Sequence, residues 1–224
     1  MRYLAILGDL KKSSISKHRK RDQQRIKASL EEINRIYRGN LAASFVISSG
    51  DSMQGLLCRG NWVGEILLDF QLALYPQRWR FGIGIGPIDT LLTPKDSNET
   101  DGPAYHQARA MIDRVEEQEN KRPVLYTQYA VSCEGREHRS EGKVINSLLS
   151  LISVIQESWT ERQVEIISAY RKSGGSQSSV QKQLGISQST VSRSLQASHY
   201  REVHEAFLAI GHTLERWREG EGDD

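Results

Sequence analysis

Residues 46–57 read VISSGDSMQGLL: a β-branched apolar run, the pair Gly50-Asp51, then a second apolar-rich run. Two strand-like segments, "AASFVISS" and "SMQGLLC", flanking so short a break are a hairpin signal. Upstream, "RYLAIL" is another strand-type run, and it too stops on Gly-Asp, at Gly8-Asp9. Between them Ile26, Leu30, Ile33 and Ile36 recur at spacings of three and four, predicting a helix over about residues 17–37 that ends at Gly39-Asn40. Downstream, "VGEILLDFQLALY" is an amphipathic helix stopped by Pro76. "RWRFGIGIGPI" is then a strand whose Gly82, Gly84 and Gly86 imply that something approaches its backbone closely. Strand, helix, strand, strand, helix, strand is the split βαβ order of a ferredoxin-like unit. A helix near residues 102–119 and a strand in "PVLYTQYAV" follow.

The polar stretch "CEGREHRSEGK" is a loop, and "VINSLLSLISVIQESW" a helix with apolar residues over most of its surface. From Trp159 onward the chain turns to short Ser- and Gln-rich helices. The expected division is residues 1–140, a linker helix over 141–158, and an all-α unit over 159–224, an α+β chain as a whole. Hydrophobic residues make up 38% and charged residues 26% of the 224 positions, which argues for a folded protein. Net charge is +2, so any nucleic-acid partner must be read from local charge. Cys58 and Cys133 form no CxxC pair, and His18, His106 and His138 show no ligand spacing. No apolar run approaches a membrane span. A cytoplasmic protein with no membrane partner is the expectation.

Asp9 and Asp51 at the tips of neighbouring strands would come within reach of one hard cation, Mg²⁺ or Mn²⁺, which takes carboxylate and phosphate oxygens. Lys11, Lys12, Ser13 and Ser14 follow Asp9 directly, offering ammonium groups, hydroxyls and backbone N–H groups to phosphates. "GDLKKSS" resembles the metal and phosphate loop of class III nucleotidyl cyclases, and "SSGDSMQGLL" their second metal-carboxylate hairpin. "RFGIGIGPI" and "DGPAYHQARAM" are similar to the strand and helix that follow there. With the C-terminal helices, the whole is similar to the bacterial SatD family. The resemblance implies a ferredoxin-like, cyclase-like palm over residues 1–140. It also implies a metal at Asp9 and Asp51, and a nucleotide whose phosphates meet Lys11, Lys12, Ser13, Ser14 and Arg109. This chain departs from the cyclases at Ile47, where a polar base-reading residue generally stands, and at Tyr105-His106, near their usual Asn. Ligand binding is therefore expected more than efficient turnover.

The C-terminal stretch "TERQVEIISAYRKSGGSQSSVQKQLGISQSTVSRSLQAS" carries a second pattern. Val180 and Leu184 face inward, Gly185 permits a tight turn, Ile186 plugs it, Ser187 caps the next helix, and Val191 and Leu195 face the core. That is helix-turn-helix spacing. The second helix exposes Gln188, Ser189, Thr190, Ser192, Arg193 and Gln196, side chains able to read base edges in a major groove. Lys182, Arg171 and Lys172 are the expected phosphate contacts. Residues 159–201 hold six basic and two acidic side chains. The closing helix, with Val203, Phe207, Ile210, Leu214 and Trp217 on one face, either packs on its own unit or forms a homodimer.

The function expected is a double-stranded-DNA-binding transcriptional regulator with a nucleotide- or metal-phosphate-binding palm. The alternatives are a cyclase or related phosphoryl-transfer enzyme with a DNA-binding module, and an inactive palm serving as a dimer scaffold.

Overall fold

A computed structural model describes residues 1–11, 19–49, 52–93, 95–121, 128–133 and 138–220. Five strands, β1 (Tyr3–Leu10), β2 (Leu41–Ser49), β3 (Ser52–Leu57), β4 (Trp79–Gly86) and β5 (Tyr129–Cys133), form one sheet in the order β2-β3-β1-β4-β5. β1 runs antiparallel to both β3 and β4, β2 and β3 form the hairpin, and β5 joins parallel to β4. With helices α1 (Arg19–Ile36) and α2 (Val63–Leu74), the first four strands make the ferredoxin-like unit read from the sequence.

Alternation along the strands sets the two faces. On β4, Trp79, Phe81, Ile83 and Ile85 point into the larger core, while Arg80, Gly82 and Gly84 face α3 (Pro103–Lys121). A Cβ on Gly82 would lie 2.1 Å from the Ala108 carbonyl oxygen, and one on Gly84 equally close to that of Ala104. The helix backbone therefore lies directly on the strand. Ala104, Ala108 and Ile112 then meet Ala5 and Leu7 of β1. The opposite face carries α1 and α2, with Ile26, Leu30 and Ile33 packed in the same core as Phe45.

Both sheet edges are sealed by an asparagine. Asn34 of α1 donates to the Phe45 carbonyl (2.8 Å) and accepts from its N–H (2.7 Å) on β2. On β5, Asn146 of α4 (Arg139–Glu157) does the same for Val131, at 3.0 and 2.9 Å. The helix expected as a linker is thus bound along the outer strand, with Ile145, Leu149 and Ile152 buried.

Three short helices follow: α5 (Glu161–Lys172), α6 (Gln177–Leu184) and α7 (Gln188–Ala197). Thr160 and Gln163 form a reciprocal capping box on α5, and Ser176 and Ser187 cap α6 and α7. Gly185, at φ +63°, makes the turn between α6 and α7. The last helix, α8 (Tyr200–Glu219), touches α7 and α5 of its own unit but lies mainly against the sheet unit. Its apolar face packs on α2 and on the 3-10 turn Gly60–Trp62, and Phe207 reaches Tyr129 of β5 with ring centroids 5.7 Å apart. Gly64 and Gly211 make this possible: a Cβ on either would meet backbone oxygen of the other element at 2.5 and 2.6 Å. One buried apolar cluster consequently runs from Leu4 to Trp217.

Candidate functional site

At the end of β1 the Asp9 carboxylate is part-buried and bound from two sides. Ser52 Oγ donates to it at 3.0 Å, a contact set by the pairing of Asp9 with Ser52 across β1 and β3. Arg80, its neighbour on β4, approaches at 3.4 Å. The guanidinium is held more firmly by Glu119 of α3, at 2.9 and 3.0 Å, and reaches Glu116 at 3.5 Å. Lys11 is also drawn inward. It is buried and ion-paired to Glu119, and burial lowers its pKa despite that partner. The ammonium expected on an open phosphate loop is instead committed to α3. Lys12, Ser13, Ser14 and Asp51 lie outside the described residues.

Arg109 is exposed on α3, seven residues before Glu116 and so about 10 Å along the helix, and makes no hydrogen bond or ion pair to the Asp9 group. Ile47 is half-exposed on β2. Tyr105 is on the buried side of α3, where burial pushes its hydroxyl up to about 12, and His106 on the same helix is exposed, 3.3 Å from Asp101.

For the cation implied by the cyclase resemblance, Asp9 fits as one ligand. Its side chain is 27% exposed and its contact with Arg80 is long, while Arg80 has two other carboxylates to satisfy it. Among the described residues no cluster of three or more His, Cys, Asp or Glu is placed to hold a metal. The second protein ligand would be Asp51, next in the chain to Ser52. The site residues not foreseen are Arg80, Glu116 and Glu119. The signal for Arg80 was present, since alternation puts it on the glycine side of β4, the same side as Asp9.

On the helical unit the expected face is exposed. Gln188, Ser189, Ser192, Arg193 and Gln196 of α7 point outward, Thr190 is half-buried, and Val191 and Leu195 are buried behind them. Lys182 and Lys172 are exposed. Arg171 departs from expectation. Its side chain is 13% exposed and turned onto α2, with Nη2 2.7 Å from Glu65 and Nε 2.7 Å from Asp69. Glu65 also meets His204 of α8 at 2.5 Å, and Asp69 accepts a 2.6 Å hydrogen bond from Tyr37. The guanidinium prefers a pair of partly buried carboxylates to solvent, so it cannot be an outward phosphate contact. The acids at i and i+4 in the otherwise apolar α2 were the visible hint.

Burial would raise the Glu65 carboxyl, but the hydrogen bonds and charges of His204 and Arg171 outweigh it and hold the group at about 2. A carboxyl lowered on folding contributes stability that is complete above its ordinary 4.5 and fades as pH falls toward 2. Glu65→Gln should therefore cost about 1.5–3 kcal/mol at pH 7, the usual worth of a hydrogen bond to a charged group. Urea unfolding at pH 7, 4.5 and 3 should show that gap narrowing in the acid range; a constant gap would contradict the assignment.

No curated protein matches. A bacterial light-regulated adenylyl cyclase shares 14% identity, covering 58% of this chain and 75% of its own, with a TM-score of 0.39. A regulator of polyketide synthase expression from Bifidobacterium adolescentis shares 16% identity over 96% of this chain and 87% of its own, with a TM-score of 0.27. Scores so low carry no functional weight. The SatD family model matches residues 3–204, nearly the whole length, and the chain belongs to the SatD family.

Proposed function

We propose that this chain is a DNA-binding regulator whose N-terminal sheet unit binds a metal–nucleotide ligand at Asp9. The observation that carries the DNA half is the solvent-facing polar side of α7, free of acidic residues and presented behind the Gly185 turn in helix-turn-helix order. Arg193 and Gln188 are the base readers, Lys182 a phosphate contact. Arg193→Ala should cost about 1–3 kcal/mol of specific binding and relax preference at one base. Lys182→Ala should weaken all sequences alike and flatten the salt dependence. Arg171→Ala, by contrast, should lower the melting temperature, because it leaves one oxygen each of the partly buried Glu65 and Asp69 without its charged partner. Absence of any duplex selected from genomic DNA at low salt would defeat the reading.

A paired operator calls for two copies. Residues 144–156 contain no charged side chain, yet α4 leaves Val144, Leu151 and Val154, seven and three residues apart on one side of the helix, exposed at 61%, 62% and 53%. This side of α4 is the proposed homodimer contact. Light scattering at micromolar concentration should give the dimer mass for the native chain and the monomer mass for Leu151→Glu. Monomer mass for both would remove the idea.

In the sheet unit, Mg²⁺ or Mn²⁺ with ATP or GTP should raise the melting temperature by binding the folded state. Asp9→Asn should abolish that rise. Without metal the same variant should lose less than about 1 kcal/mol, since Arg80 keeps Glu116 and Glu119. An increment that persists in both Asp9→Asn and Asp51→Asn would place the metal elsewhere. Binding rather than efficient turnover is proposed because Ile47 offers no polar group to a base and Arg109 stands away from Asp9.

A further inference from the structure

A cleft of about 670 Å³ opens where α1 and α2 meet α5 and α8, well within the size of small-molecule sites. It belongs to neither the Asp9 site nor the exposed side of α7. Ile33, Ile36, Leu72 and Ala73 give it an apolar floor, and Ile36 is 50% exposed there despite its size. One wall is aromatic. Tyr200 stacks on His204 with centroids 5.7 Å apart and 13° between planes, and Tyr170 meets Tyr200 edge-on at 5.8 Å.

The charges of the cleft decide what it takes. Glu65 spends its two oxygens on His204 and Arg171, and Asp69 spends its two on Arg171 and Tyr37. Glu32, at the mouth, accepts from Nε and Nη2 of Arg35, at 2.9 and 2.7 Å. Each of these three carboxylates already faces a guanidinium. Lys172 and Arg201 also line the cleft and are exposed; Lys172 feels the charge of Glu32, whose oxygens are bonded to Arg35.

We propose that this cleft binds a small aromatic anion, its ring over the apolar floor and against the Tyr200–His204 stack, its carboxylate or sulfonate facing Lys172 and Arg201. Apolar contact fixes the body, and the two cations select the sign of the charge. The site needs neither DNA nor metal, so its test stands apart from those of the proposed function.

The probe is 8-anilinonaphthalene-1-sulfonate, titrated by fluorescence into the full chain at neutral pH. Saturable binding of one molecule per chain is expected. Lys172→Glu combined with Arg201→Glu should weaken it at least tenfold at an unchanged melting temperature, both positions being exposed. Ala73→Phe, which fills the floor, should weaken it likewise, and Leu91→Glu, on an exposed stretch after β4 outside the cleft, should not. The uncharged analogue N-phenyl-1-naphthylamine should compete at least tenfold less well than the sulfonate. Non-saturable binding, indifference to the double charge reversal, or equal competition by the uncharged analogue would each overturn the proposal.

Discussion

The contact on which the molecule depends is the return of α8 to the sheet unit. Its backbone comes so near the Gly60–Trp62 turn and α2 that Gly60, Gly64 and Gly211 leave no space for a single added carbon. Phe207 and Trp217 are fully buried as a result, and Glu215 accepts a backbone hydrogen bond from Gly60. The chain leaves the sheet along α4 and comes back along α8, so α5, α6 and α7 are held at both ends. Trp159 closes the loop by donating to the Ser198 carbonyl at 2.7 Å, joining the entry of that helical segment to its exit.

Arg171 adds a lateral tie. Removing one member of a buried ion pair is costly because the other is left without a partner. Rotation of α5 away from α2 would separate Arg171 from Glu65 and Asp69 together. The cleft between α1, α2, α5 and α8 sits beside this tie, so anything that fills it presses on the joint between the sheet and the helical segment.

Much of this was legible in the residues. The two strand-like runs either side of residues 50–51, the glycine strand and the Gly185 turn are local signals: β2 pairs with β3, α3 lies on the glycines of β4, and Gly185 takes its positive φ. Long-range destinations were not legible. An amphipathic helix such as α8 announces that one face is buried but not against what, because Val203 to Trp217 would suit several partners equally. Arg171 reads as a solvent-facing cation beside Lys172 until one knows that Glu65 and Asp69, about a hundred residues earlier, face it. Lys11 misled for the same reason: its partner Glu119 lies on a helix whose placement on β4 only the glycines hinted at. The environment of Asp9 was therefore half visible, with its strand position read and its companions missed.

Asn34 and Asn146 have a consequence for how copies of this chain can associate. A β-strand at the border of a sheet ordinarily offers its unpaired amides to any other extended chain, and that is a route to fibrils. Here the backbone groups of Phe45 and Val131 are already taken by side-chain amides that imitate a neighbouring strand. Gln128 is protected similarly, its N–H donating to Ser153 of α4. Sheet-to-sheet growth is blocked at those positions on both borders, and a chain cut before α4 would lose the guard on one of them. On the β2 border the guard is made before its strand, whereas on the β5 border it is acquired only once the helix that follows the strand has been made.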